Sequence, residues 1–383
     1  MVARATRRLL VVASILALPA AGYAQGIVQP DHHLPSRPEN VTWGWILIDK
    51  PPVLRIKSGE TVRIDAISHH GATQAEHPVK FLGQFGVKPD EVLQDVIDFW
   101  ETRDQRPAGE GRGGHVMTGP IYIEGAQPGD MLEVQVLDVE LRVPYGFNGA
   151  GPTSGVLGPN YPGARPGDPV ASGARKLFRT ARVSGRTVVL FADGITFEAT
   201  PFMGNMAVAP PLPVPGPPIG APLQSTRPPG VFGGNMDTHD LGAGGRVYLP
   251  VFQPGALFYA GDPHSVQGGG EVSGTAIEHS ATATFRFVLH KGKTISAPRA
   301  ETATDYIVMG IDEDLNRAMR LAVQQAVDFL VAEMGMDAGD AYHLTSLAVD
   351  FNVEEAVNGT QVISGRIPKR IFHKEFFLKR SEQ

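Results

Sequence analysis

Apolar and polar positions alternate over several short stretches of this chain, and a period of two predicts half-buried β-strands. Over residues 282–290, Phe285, Phe287 and Leu289 fall on one face while Thr284, Arg286 and Val288 fall on the other. Residues 61–67, 131–141, 187–198 and 246–251 carry the same signal. Within 131–141 the apolar phase slips from Leu132, Val134 and Val136 to Leu137, Val139 and Leu141, which a bulge or two-sided burial explains. Asp193-Gly194 sits between two apolar runs and predicts a two-residue hairpin turn. The period changes to that of a helix over about 312–334. There Leu315, Met319, Ala322, Val323, Ala326, Leu330 and Val331 form one stripe, acidic residues open the segment and Gly335 stops it. A shorter helix is predicted over 338–347.

These elements imply a mainly β, β-rich α+β protein: several packed antiparallel sheets, sandwich- or barrel-like, with a C-terminal helical segment. Residues 25–383 read as one unit, with two β-rich lobes (about 25–200 and 201–383) as the alternative division. Two proline-rich stretches, 151–170 and 209–230, are too long and irregular for ordinary connections and read as loops framing a site.

Composition narrows the setting. Arg4, Arg7 and Arg8 precede an apolar run, and Gly22 and Ala24 supply small residues after it, the layout of a signal peptide cleaved after Ala24. Thr6-Arg7-Arg8-Leu9-Leu10 also fits a twin-arginine signal. The expected product is periplasmic or secreted, without a membrane partner after cleavage. Cysteine is absent, which removes disulfides, thiolate ligands and a cysteine nucleophile. Loss of three arginines with residues 1–24 takes the formal charge from -6 to -9, and no basic cluster remains. Nucleic acid is not an expected partner.

The densest chemistry lies in residues 233–278, where Asp237, Asp240, Asp262, His264, Gln267, Glu271 and Glu278 are set among glycine-rich turns. The wording of this segment resembles the acetamidase/formamidase family. The matching blocks include His115-Val-Met-Thr-Gly-Pro120, Pro201-Phe-Met-Gly-Asn-Met206, Phe232-Gly-Gly-Asn-Met-Asp237, Gly261-Asp-Pro-His264, Gln267-Gly-Gly-Gly-Glu271 and Gly274-Thr-Ala-Ile-Glu278. Ala341-Tyr342, Leu347-Ala-Val-Asp350 and Ile367-Pro-Lys369 extend the likeness to the C-terminal part. The resemblance implies a β-rich architecture, hydrolysis of small linear amides such as formamide or acetamide to carboxylate and ammonia, and a homo-oligomer, a dimer or larger.

Amide hydrolysis needs a nucleophile, a group that takes charge from the carbonyl oxygen and a proton donor for the departing nitrogen. Ser273 and Thr275 lie beside glycines in a turn and read as structural, so a water activated by a divalent ion, zinc or calcium, is the expected nucleophile. Asp262 and His264, at i and i+2, are the first ligand pair, because extended backbone sends both side chains the same way. Asp237 is the third ligand; after a glycine turn it could equally cap or fix a loop. Glu271 is the expected general base and His115 a proton shuttle or ligand. Gln267 is assigned to substrate or to backbone groups, and Met203 and Met206 to the wall of an acyl pocket or the core. Glu278 is expected to hold a histidine from behind. His69 and His70 are expected on the surface or in a loop and not on one ion together, since adjacent strand residues face opposite ways. An exported small-ligand-binding protein that keeps the fold without turnover is the alternative.

Overall fold

The computed structural model describes residues 29–105, 114–151, 154–158, 174–212 and 223–373. The expected signal over 1–24 and much of both proline-rich stretches lie outside the described residues. No helix among those described is long and apolar enough to cross a membrane.

Strands dominate, and nearly all pair antiparallel. One sheet has nine strands in the order His32–Leu34, Thr61–Ala66, Ala281–His290, Met131–Leu141, Arg246–Pro250, Arg299–Glu301, Asp305–Asp312, Gln361–Pro368 and Asp350–Glu355. A second, six-stranded sheet places Phe258–His264 between Phe202–Ala207 and Val116–Ile123. Both sheets interleave strands from before and after residue 200, so their hydrogen bonding does not divide there. A four-stranded sheet carries Arg186–Ala192 and Ile195–Glu198, joined through Asp193-Gly194 as the turn chemistry predicts.

The alternation seen over 282–290 becomes the contact between sheets. Phe285 and Phe287 are fully buried, and the Phe258 ring of the other sheet lies 6.0 and 5.1 Å from theirs, edge to face in both cases. The phase slip in Met131–Leu141 is a bulge: Asp138 pairs with Thr284 but Val136 with Phe285, leaving Leu137 as the extra residue. Burial on both flanks of the bulge follows, with Val134, Val136 and Val139 all in the core.

Helices are more numerous than the periodicity predicts. Between the strands Thr61–Ala66 and Val116–Ile123 lie α1 (His69–Ala72), α2 (Pro78–Gly83) and α3 (Gln94–Thr102). They are too short to register as a stripe. The two C-terminal helices are found as α4 (Leu315–Met334) and α5 (Ala338–Ala348). Asp314 caps α4, accepting a hydrogen bond from the Arg317 amide at 2.9 Å, and Gly335 ends it in the left-handed conformation. The buried stripe differs from the expected one. Ala318, Ala322, Ala326, Phe329, Leu330 and Met334 face inward, while Leu315, Met319 and Val331 are exposed. The reason is close approach: a side-chain carbon at Gly310, on the strand beneath, would lie 2.0 Å from the Ala318 carbonyl oxygen and 2.3 Å from the Ala322 nitrogen. Only alanines fit where helix and sheet come so near, so Leu315 and Met319 are turned outward there, while Phe329, Leu330 and Met334 pack inward further along the helix.

Gly310→Ala should therefore destabilise the fold by about 1–3 kcal/mol through overpacking, at about 2–4 °C of thermal midpoint per kcal/mol. Gly83→Ala, where a methyl group meets nothing within 4 Å, is the matched control and should change stability by less than about 0.5 kcal/mol. Equal melting of the two variants would contradict the close-packing explanation.

Candidate active site

The strand Phe258–His264 delivers its last residues into a buried cluster of acids and histidines. His264 is fully buried, and its Nε2 lies 3.3 Å from Asp262 Oδ2 and 3.3 Å from Glu278 Oε1. Glu278 is fixed through its backbone, which exchanges hydrogen bonds with Phe147 (2.9 and 2.7 Å), and its Oε1 accepts from the Ala276 amide at 3.0 Å. Asp237 follows the edge strand Gly233–Asn235. Its Oδ2 accepts from Asn235 Nδ2 at 2.6 Å, and its Oδ1 lies 3.8 Å from His264 Nδ1. Oδ1 of Asp237 has room only because residue 204 lacks a side chain: a carbon there would sit 2.4 Å from that oxygen and 2.8 Å from His264 Cε1. Glu271 completes the group, with a carboxylate oxygen within 4.8 Å of His264 and Glu278 ligand atoms.

Three of these acids share an uncommon backbone. Asp237, Asp262 and Glu271 have φ of 45°, 53° and 46°, in the left-handed region that non-glycine residues seldom occupy. Among the described residues only four other non-glycine positions do so. Such conformations persist where surrounding structure holds them, and they concentrate at functional sites.

The histidines arrive from elsewhere in the chain. His115 donates from Nδ1 to the Thr226 carbonyl at 3.2 Å and turns Nε2 toward Asp262 Oδ2, 3.5 Å away. Thr226 belongs to the described end of the second proline-rich stretch, and Ser154–Gly158 of the first abuts the loop after Glu271, with Val156 donating to the Val272 carbonyl at 2.9 Å. His69 and His70, expected on the surface or in a loop, face the buried cluster instead of solvent. They lie on the turn α1 rather than on a strand, so their rings stand side by side, 4.4 Å between centroids. His69 Nδ1 is 3.6 Å from both Asp262 Oδ1 and Glu278 Oε2, and His70 joins Glu278 in the same cluster while stacking on Phe147.

Burial sets the electrostatics. Asp237 is held far above the ordinary carboxyl range by desolvation and by Glu271 and Glu355 beside it. Glu355 is driven up to about 10 by burial and by Glu271, and Glu271 to about 8, again chiefly by burial, with Glu278 and Asp262 adding to it. Asp262 goes the other way: burial opposes ionisation, but His115 and His264 outweigh it and hold it well below the usual range. His264 is raised well above an ordinary imidazole, since Glu278 and Asp262 overcome the desolvation that would lower it.

Other residues singled out in the chain make packing or hydrogen-bond contacts. Met203 and Met206 are buried in the main apolar core. Gln267 spends its amide on His264 and two backbone carbonyls. Ser273 and Thr275 bond to Asn148 and to backbone. Asp240 joins a neighbouring network with His239, Glu354 and Arg366. Residues that the chain reading missed are Glu355, Gly204 and Asn235. Gly204 and Asn235 stood in matched blocks without a signal of their own, and Glu355, on an edge strand paired with the next strand, reaches the site only through a bridge to the distant Gly270.

These residues fit a bound cation. Asp237 Oδ1, Asp262 Oδ1, His264 Nε2, Glu271 Oε2, His69 Nδ1 and both Glu355 oxygens are buried without hydrogen-bond partners. Buried polar atoms are ordinarily satisfied, and a set of carboxylates with imidazole nitrogens is the donor chemistry of a divalent ion. Asp237, Asp262 and His264 form one such set, His69, His115 and Asp262 another, and Asp262 belongs to both.

Residues 103–216 and 218–374 match the model of the acetamidase/formamidase family. The chain is 31% identical over 200 residues to the acetamidase of Mycolicibacterium smegmatis, covering 42% of this chain and 49% of that one. It is 25% identical over 336 residues to the formamidase of Methylophilus methylotrophus, covering 74% and 77%. Matches to such relatives thus span about half to about three quarters of the relatives' own lengths. Among solved structures, the acetamidase of Bacillus halodurans superimposes with a TM-score of 0.69 at 27% identity, over 89% of this chain and 98% of the other.

Crowding of acids gives a pH signature in chelator-treated protein. Glu355 titrates near 10 in the fold against 4.5 ordinarily, so folding favours its protonated form. Its contribution is complete below 4.5 and is lost as pH rises from there toward 10. The thermal midpoint should fall across that window, and Glu355→Gln should flatten the fall. An unchanged slope in the variant would contradict this assignment.

Proposed function

The chain belongs to the acetamidase/formamidase family, and from that premise we propose that it hydrolyses small linear carboxamides of the formamide or acetamide type to carboxylate and ammonia. The observation that carries the proposal is the buried convergence of Asp237, Asp262, Glu271 and Glu278 on His264, with inward-facing atoms that lack partners. The names of the relatives, acetamidase and formamidase, support small carboxamides as the substrate class.

Asp237, Asp262 and His264 are the proposed ligands of a divalent ion, zinc or calcium, with His69 and His115 also facing the Asp262 carboxylate. A bound ion supplies Lewis acidity there, lowering the proton affinity of water and drawing charge from the amide oxygen. The chain's own groups do the rest. Water adds its oxygen to the carbonyl carbon while one of its protons passes to Glu271. The C–N bond then breaks, and Glu271 returns the proton to the departing nitrogen. Glu271 suits this exchange because its Oε2 is buried without a partner beside His264 and Glu278. Glu278 faces His264 Nε2 and His69 Nδ1 at 3.3 and 3.6 Å, on the ligand side of both rings, and His115 stands by Asp262 to move a proton outward. The proposed setting is outside the cytoplasm, supported by the signal layout of residues 1–24, and the proposed homo-oligomer rests on membership of the family.

Ammonia release from formamide and acetamide tests the reading, alongside metal analysis of the purified protein. Chelation should abolish release and the added ion restore it. Asp262→Asn and His264→Ala should each lower kcat/KM by about 100-fold or more, the scale of several kcal/mol of lost transition-state stabilisation. Metal-replete protein that frees no ammonia from a panel of short amides would refute the proposal.

A further inference from the structure

The side-chain amide of Gln267 has no freedom in how it is read. One of its terminal atoms lies 2.7 Å from the Asp237 carbonyl oxygen and 3.2 Å from the Glu354 carbonyl oxygen. Both partners can only accept, so that atom is the nitrogen and donates to both. The other terminal atom is therefore the oxygen, and it lies 3.0 Å from His264 Nδ1. An amide oxygen can only accept, so Nδ1 carries a hydrogen. What remains free on the ring is Nε2, which faces Asp262 Oδ2 and Glu278 Oε1, each 3.3 Å away, without a hydrogen bond to either.

His115 reaches the same arrangement by another route. Its Nδ1 is spent on the Thr226 carbonyl at 3.2 Å, and its Nε2 faces the same Asp262 oxygen at 3.5 Å. Two imidazoles from different segments are thus oriented through Nδ1 so that Nε2 converges on one carboxylate. The histidine-to-acceptor pairing is the usual means of fixing ring orientation at a metal centre.

We propose that Gln267 is a positioning residue: it locks the His264 ring with Nδ1 protonated and presents Nε2 to a cation shared with Asp262. The inference rests on the metal reading of the site given above, and it moves Gln267 from contact with substrate to control of a ligand. Its nitrogen does a second task. By holding the Asp237 and Glu354 carbonyls at once, it ties the Asp237 turn and the strand Asp350–Glu355 to the same histidine. The C-terminal part of the chain is in this way required for the ring's position, although it contributes none of the three proposed ligands.

The test uses the full chain and zinc alone as the probe. Zinc dissociation constants would be measured by competition with a chromophoric chelator at fixed pH for wild type, His264→Ala and Gln267→Met, which keeps the side-chain length but loses all three hydrogen bonds. The expected weakening in Gln267→Met is about 10–100-fold. A second measurement needs no variant fold: in wild-type protein labelled with nitrogen-15 at histidine and loaded with zinc, the His264 Nδ1 signal should show a directly bonded proton and Nε2 the coordination shift. The His264→Ala spectrum assigns the signals. Zinc bound by Gln267→Met within twofold of wild type, or a wild-type His264 whose Nδ1 carries no proton, overturns the role of Gln267 and leaves the metal reading standing. Wild type that takes up no zinc, or takes it up as well after His264→Ala, overturns the metal reading and this inference with it.

Discussion

Five carboxyl groups, those of Asp237, Asp262, Glu271, Glu278 and Glu355, are buried around His264, and everything else in the molecule is arranged around that demand. Charges taken out of water are costly unless paired, and unpaired ones lose their charge instead. The cluster shows both responses. Asp262 is ionised against two imidazoles, while Asp237, Glu271 and Glu355 are pushed toward their protonated forms. A site under that tension favours any cation that can enter it, which is why the unpartnered inward atoms and the electrostatics point to the same chemistry.

Holding the acids together takes structure from the whole chain. Asp262 and His264 come from the end of a central strand, Asp237 from an edge, Glu278 from a bridge to Phe147, and Glu355 from the rim of the other sheet. Left-handed backbone at Asp237, Asp262 and Glu271 is a local cost that only this cross-bracing sustains. Gly204 contributes by absence, since any side chain there would fill the space of Asp237 Oδ1. The interlocked aromatic rings of Phe258, Phe285 and Phe287 supply the rigid floor from which the site-bearing strand emerges.

The strands over 131–141 and 282–290, the hairpin at Asp193-Gly194 and the bulge at Leu137 were all legible from period and turn chemistry, because each depends on neighbours in sequence. Asp237, Asp262, His264, Glu271 and Glu278 were legible as a group because they crowd into one short segment. The inward stripe of α4 was not, since an amphipathic pattern ranks side chains by size and apolarity, whereas Gly310 imposed an approach that only alanine tolerates. The meeting of His69 and His70 at the site was not legible for a related reason: a pair of adjacent histidines faces two ways on a strand and one way on a turn, and the turn is four residues long.

By itself the sequence determined the class of the fold, the family and the central acids, all of which rest on local pattern or on wording within short blocks. Tertiary structure decided which groups meet. It brought His69 and His115 to Asp262, set Glu355 against Glu271, consigned Met203 and Met206 to the core and turned Gln267 onto His264. Those outcomes depend on strand register and on the close approach of backbones far apart in the chain. Such distances are fixed only when the sheets have packed.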